Sequence, residues 1–509
     1  MGRNSFCAMP QRGAEGAAPH IVQSQEKRHD AASTLTSGKM RSNVKILLAG
    51  DLRGKFTASL LRRLLNRANR FIKPDVLILI GEVADAFLPA TAATALVDEL
   101  RAILTKATMP VLALPGANPP VDRRLQIAPA APGFLDVNGV RFEPILPVAE
   151  EADDGGNIFS RELTRLKTAR RHFNGPLVVL QSAPTETETF ARAYADAGVT
   201  LLLTGSRHGA VDSHTCGKIP ILAAAALGAA PFPYSIIEIG EDGEVHTTTE
   251  NLKLPDGTAF YDYHLHTSLA YCNENMEPAA AVEIACAFGL SRIGFAEHSG
   301  HLYCSLPDYW EHNTWYYQGL DFPGRIHRSD QYFNMIAPLR SDFCQVGLEV
   351  DVCRDGSLLL DPADASRLDF RLGAVHHLPE CRNGASDAEM ADEFLRLTER
   401  LLAGGVDILA HPLRAIRWSK REMPDGLPVK LALLLKKYHC PAELNFHNNL
   451  PPEDFVTACL ENGVKFSFGG DAHNLYEIGD FYGQLNMLEK LAPGSRVGDV
   501  LAPPPPVKQ

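Results

Sequence analysis

The chain has 509 residues, a formal net charge of −12 and a sequence pI of about 5.8. Its length exceeds one ordinary domain and predicts two or three; 45% hydrophobic and 22% charged residues suit a globular protein. The acidic balance argues against long nucleic acid as a partner. No apolar run reaches the roughly 18 residues of a membrane span. The ten cysteines are scattered without a CxxC pair, which reads as reduced thiols of a cytoplasmic protein.

Residues 1–42 are polar, aperiodic and rich in Gly, Ala and Ser, and are expected to be disordered. They lack the apolar core of a secretory signal. Met1-Gly2 invites myristoylation, but Phe6 stands where Ser or Thr is needed. Met40, just before the first apolar run, is a candidate true start.

Residues 43–250 alternate strand-like and helix-like stretches, predicting a layered α/β domain. Predicted strands at 44–49, 76–80, 111–114, 177–180 and 201–204 end in Gly50-Asp51, Gly81-Glu82, Pro115-Gly116, Gln181-Ser182 and Gly205-Ser206. Leu60, Leu61, Leu64 and Leu65 mark one face of a helix over 58–71, and 96–104 reads as another. Residues 149–175, acidic then basic, read as a surface insertion. Turn signals within 241–258 place a linker at 251–258.

Residues 259–495 repeat a strand-then-helix unit, each strand ending in residues able to bind metal. Tyr261-Asp262-Tyr263-His264-Leu265-His266-Thr267 comes first; residues i and i+2 of a strand share a face, so two imidazoles enter one space. Glu297-His298, Glu349, His376-His377, His411 and Asp471-Ala472-His473 follow, each after its own apolar run. Helices are expected from Pro278 to Gly289, over 386–402 capped by Ser386, and over 429–437. Residues 301–340 carry Tyr303, Tyr309, Trp310, Trp315, Tyr316 and Arg328, and read either as a substrate lid or as packing. Residues 496–509 end in a proline run and are expected to be extended and mobile.

In the first half the motif order resembles the calcineurin-like metallophosphoesterases, but in degenerate form. Asp51, Glu82 and His208 stand as potential ligands, whereas Arg53, Ala117, Asn118, Ser182 and Ser206 stand where that family places ligands or a catalytic histidine. A fixed guanidinium replaces a cation at Arg53, so this half is expected to be catalytically dead: a scaffold that packs on the second half or makes a homodimer.

The second half resembles the PHP (polymerase and histidinol phosphatase) family through YDYHLHT, GFAEHS, GLEVDV, GAVHHL, ILAHP, ELNFH and GGDAHN, over roughly 260–480. The resemblance implies a distorted (βα)7 barrel holding two or three divalent metal ions, zinc, manganese or iron. One would be held by His264, His266, Glu349 and Asp471; a second by Glu349, His376 and His411; a third by His298, His473 and either Cys272 or Glu274. Glu297 departs from the family's usual Asp. Glu349 would hold two metals at the separation catalysis needs, His377 would support the site or touch substrate, and Arg328 or Arg414 would grip phosphoryl oxygens. The implied activity is hydrolysis of a small phosphorylated substrate, in the manner of histidinol phosphatases, by a metal-bridged hydroxide. The alternatives are a phosphodiesterase or exonuclease on short nucleic acid, and a non-catalytic scaffold.

Overall fold

The computed structural model describes residues 43–85, 87–116, 127, 133–145, 155–182, 188–206, 213–216, 219–240 and 242–506. The expected disordered segment 1–42, Ala117, Asn118 and His208 lie outside these residues.

The first half is built from two mixed sheets. One consists of β1 (Asn43–Gly50), β2 (Val76–Gly81), β3 (Val111–Pro115), β10 (Pro233–Gly240) and β11 (Val245–Asn251), in the order β11-β10-β1-β2-β3. The other consists of β4 (Leu135–Val137), β5 (Val140–Ile145), β6 (Leu177–Gln181), β7 (Leu201–Thr204), β8 (Ser213–Cys216) and β9 (Ile219–Ala223), in the order β4-β5-β6-β7-β9-β8. Alternate residues face opposite ways along a strand. Ile46, Leu48, Ile78 and Ile80 therefore pack against Phe142, Val178, Leu180 and Leu203 between the sheets. Their neighbours Leu47, Ala49, Leu77 and Leu79 meet Leu60, Leu64, Val97 and Leu100 of helices Thr57–Arg67 and Ala90–Leu104. Burial on both faces is why these strands read as unbroken apolar runs. The expected insertion is in part a helix, Gly155–His172, because Leu163 and Leu166 pack on the second sheet's outer face.

The second half is a seven-stranded parallel sheet in sequence order: β12 (Tyr261–Leu265), β13 (Arg292–His298), β14 (Cys344–Asp351), β15 (Phe370–Ala374), β16 (Ile408–Leu409), β17 (Ala442–Asn445) and β18 (Phe466–Gly469). It curls almost to closure. Past the end of β18, the His266 N–H donates to the Ala472 carbonyl at 3.1 Å and the Ala472 N–H to the His264 carbonyl at 3.0 Å. The lower interior is plugged by Tyr263, Phe370, Leu372 and Ile408. Glycine is required at 294 and 347, where a Cβ would sit 2.5 Å from the Phe370 ring. The helix predicted over 386–402 forms as Asp387–Ala403, with Ser386 and Glu389 closing a reciprocal capping box.

One open reading is decided and one reading changes. Tyr303, Tyr309, Trp315 and Tyr316 are at most 1% exposed, so the aromatics of 301–340 pack that segment onto the barrel. The tail is docked rather than mobile as far as Pro506: helix Val497–Val500 leads to Leu501, and the Ala502 N–H donates to the Phe466 carbonyl at 2.8 Å. Pro503 to Pro506 line a cavity of about 360 Å³ at the strands' N-terminal end, away from the imidazoles. Apolar contact and one ladder-like bond hold the tail there, neither of which composition reveals.

The two halves share one apolar core, in which Leu60 and Leu64 join Phe288 and Phe481. Buried Arg63 donates to the carbonyls of Ile478 at 2.9 Å and Gly479 at 2.5 Å. Arg67 pairs with Asp480 at 2.8 Å and reaches the Asn251 carbonyl at 2.9 Å. Among the described residues no helix is long and apolar enough to cross a membrane.

Candidate metal centre

The barrel strands converge at their C-terminal ends, and each delivers side chains into one buried volume. β12 brings His264 and His266, β13 brings Glu297 and His298, and β14 brings Glu349 and Asp351; His376, His411, Asp471 and His473 follow β15, β16 and β18. His264, His266, Glu349, Asp471 and His411 are each at most 2% exposed.

Glu349 stands in the middle. Its Oε1 lies 2.6 Å from His411 Nε2, 3.2 Å from His376 Nε2 and 3.4 Å from His264 Nε2. Its Oε2 lies 2.6 Å from His298 Nδ1. His266 Nε2 lies 3.0 Å from Asp471 Oδ1. Among the described residues, six groups place their ligand atoms within 4.8 Å of one another, including His264–His266–Asp471, His264–Glu349–His411, His298–Glu349–His376, His266–His298–His473 and Cys272–His298–His301. Glu349 thus belongs to at least two of these groups, with His264, His376 and His411 at its Oε1 and His298 at its Oε2.

These groups fit divalent cations. His473 Nε2 is buried without a hydrogen-bond partner, and His264 Nε2, His298 Nδ1 and Glu349 Oε2 face one another's charges at 2.6–3.4 Å without hydrogen-bond geometry. Buried polar atoms are rarely left so unless something else satisfies them. Mixed imidazole and carboxylate donors suit zinc, manganese or iron better than magnesium.

The other ring nitrogens are already held. His264 Nδ1 lies 2.7 Å from Glu443, His376 Nδ1 lies 2.7 Å from Asp351, and His473 Nδ1 lies 2.8 Å from the Asp471 carbonyl. Such partners fix the tautomer and aim the free nitrogen inward. Glu297 accepts from the Thr267 N–H at 3.0 Å and the His298 N–H at 2.9 Å, and faces His266 Nδ1 at 3.4 Å. It frames His266 from behind.

The charges are interlocked. Burial opposes ionisation of Glu349, yet His376, His264 and His298 hold its carboxyl well below the usual range. Burial disfavours protonated His376, but Glu349 and Asp351 push it up to about 10; His266, beside Asp471 and Glu297, rises to about 9. Burial and Arg414 bring His411 down to about 4. Cations entering the centre would displace protons from His266 and His376.

The sequence-predicted residues fall into three groups. His264, His266, His298, Glu349, His376, His411, Asp471 and His473 converge. Of the two open candidates, Cys272 is the one brought in, with Sγ 3.7 Å from His298 Nε2; Glu274 is exposed and accepts from the Asn474 side chain at 2.7 Å. His377 turns away: its ring stands 4.6 Å from that of Tyr316, and burial pulls it down to about 4. Arg328 lies at the margin, donating to the His301 carbonyl at 3.0 Å. Arg414 is buried against Asp471 and Asn445, so its guanidinium faces a carboxylate.

Sequence reading missed Glu443, Asp351 and His301. Their partners lie on other strands; His264 and Glu443 are 179 positions apart. The available signal was positional, since Glu443 sits inside its strand as Glu349 does.

No family model and no curated protein matches the chain. Among solved structures, a candidate histidinol phosphatase, hisK, from Listeria monocytogenes is 16% identical, with 44% of this chain and 99% of that one covered and a TM-score of 0.33. TT1561 of Thermus thermophilus is 15% identical, with 40% and 98% covered and a TM-score of 0.31. GAP50 of Plasmodium, an anchor in the inner membrane complex, is 10% identical, with 42% and 91% covered and a TM-score of 0.31.

Proposed function

We propose that the chain is a metal-dependent phosphoric ester hydrolase of PHP type, acting on a small phosphomonoester at the C-terminal face of the barrel. One observation carries the reading: the Glu349 carboxylate lies among two imidazole sets, His264 with His411 and His298 with His376, its Oε1 meeting His264, His376 and His411 and its Oε2 meeting His298. Bound dications would lower the pKa of water toward neutrality and neutralise charge on phosphoryl oxygens.

The chain's own residues have separable tasks. Glu349 fixes the spacing of the two imidazole sets. Glu443, Asp351 and Glu297 orient His264, His376 and His266. Arg414 offsets the charge of Asp471, and the Tyr263–Phe370 plug closes the interior below the site. Arg328, beside Tyr271 at the margin, would meet phosphoryl oxygens as a fork. The site is specified from His264 to His473, and the first half acts as scaffold.

The test is hydrolysis of phenyl phosphate by protein loaded with manganese or zinc. Turnover that chelation abolishes and metal restores supports the reading. Metal-loaded protein inert toward phosphomonoesters but active on a short oligonucleotide would replace it with the phosphodiesterase reading.

A further inference from the structure

A second cavity, of about 380 Å³, lies where the first half meets the barrel's C-terminal loops. Its volume is in the range that holds a small ligand. Two of its walls are one contact from the metal centre. On one side His447 donates from Nδ1 to Glu477 at 3.0 Å, and its ring lies 4.9 Å from that of His473. Glu477 also accepts from the His473 N–H at 2.8 Å. On the other side the Trp418 indole donates to the Asn448 carbonyl at 3.0 Å and carries the Arg414 guanidinium 5.2 Å from its ring centre; Arg414 holds Asp471.

The wall chemistry is selective. Arg417 and Arg70 are both exposed and both line the cavity. Arg70 comes from the first half and is braced on the Phe446 carbonyl at 2.6 Å. The acid on the wall, Glu477, is taken up by His447 and by backbone N–H groups. Asn449 is 8% exposed, and its side-chain oxygen is a buried acceptor without a partner. Two guanidiniums and an indole suit a planar group that bears an anion.

Resting on the phosphoesterase reading, we infer that this cavity receives the leaving alcohol of the substrate, and that this alcohol carries a second anionic group, phosphate or carboxylate. The first half then completes the substrate site through Arg70, beyond its part as a scaffold. The ester phosphate sits at the imidazoles, and the rest of the molecule runs past His447 toward Arg417.

The experiment compares phenyl phosphate, para-carboxyphenyl phosphate and para-phenylene bisphosphate on the metal-loaded full chain. The ratio of kcat/KM for each anionic ester to that for phenyl phosphate is read in wild type and in Arg417→Ala and Arg70→Ala. Comparing ratios cancels intrinsic leaving-group reactivity. Each variant is expected to lower the ratio about tenfold, chiefly through KM, as loss of a charged hydrogen bond does, with Arg417→Lys in between. The bisphosphate and carboxylate arms show which anion is preferred. Ratios that do not move in either variant overturn the inference. If wild type turns over none of the three esters, the phosphoesterase reading fails, and the cavity is then judged by calorimetric binding of para-carboxyphenylphosphonate against phenylphosphonate. Tighter binding of the carboxylated compound, lost in Arg417→Ala, keeps the anion site; equal binding removes it.

Discussion

Asp51 follows β1 and Glu82 follows β2, as Glu349 ends a run in β14 and Asp471 follows β18. In the first half the Asp51 carboxylate accepts the Glu82 N–H at 2.8 Å, and Arg53 beside it is exposed. In the second half Glu349 is fully buried, with both oxygens facing imidazoles. The same type of residue at the same type of strand end thus has two outcomes. In the open sheets of the first half, Asp51 serves its own loop. In the barrel the strand ends close on themselves, and side chains separated by up to two hundred positions share one volume. Closure, more than motif chemistry, distinguishes a centre from a set of loops.

The sharpest way to break this comparison is to delete ligands on one side and loop acids on the other. Under the proposed function, His264→Ala with His266→Ala is expected to lower phosphomonoesterase activity by about 10³-fold or more, since bound cations would supply the nucleophile. Asp51→Ala with Arg53→Ala is expected to leave kcat/KM within about twofold and to cost about 1 kcal/mol of stability, one loop hydrogen bond. Initial-rate kinetics and urea unfolding check both. A first-half variant that removes activity would place chemistry in the sheets.

The seam between the halves comes next. Arg63 holds the carbonyls of residues 478 and 479. The Gly479 N–H donates to Asp262 at 2.9 Å, and Asp262 also accepts from the N–H groups of His264 at 3.2 Å and Gly470 at 2.9 Å. The first half thereby braces the strand ends that carry His264 and Asp471. Arg63→Ala is expected to cost about 3–5 kcal/mol, the scale of breaking a buried charged network, read as a lower urea midpoint. An unchanged midpoint would separate the two halves energetically.

Within the barrel, Glu443→Gln is expected to weaken metal binding about 10–100-fold while leaving the fold intact. Competition with a chromophoric chelator measures it. Glu274→Gln, on the exposed loop, is expected to leave metal affinity within about twofold, whereas Cys272→Ser weakens binding of one equivalent. The reverse order would put Glu274 back among the ligands.

Much of the centre was legible because it obeys strand periodicity. His264 and His266 lie two apart, and Glu349, His376, His411 and Asp471 each follow an apolar run. His376 and His377, just past the end of β15, diverge, one to Glu349 and the other to Tyr316. The choice between Cys272 and Glu274 was not legible, since both follow β12 in a loop that obeys no period. Glu443 and Asp351 were not recognised either, because their function lies in a neighbour's tautomer and that neighbour is set by barrel closure. In the first half, apolar runs gave β1, β2, β3, β6 and β7, but β4, β5 and β8 to β11 were not read from the sequence. The pairing into two sheets depends on long-range order that periodicity does not encode.

The most direct test is the metal content of the full chain, purified without chelator and measured by elemental analysis against protein concentration. Two or three equivalents of transition metal per chain, falling in the His264→Ala, His266→Ala variant and unaltered in Asp51→Ala, is the predicted result. A folded, chelator-free protein with no bound transition metal would contradict the account.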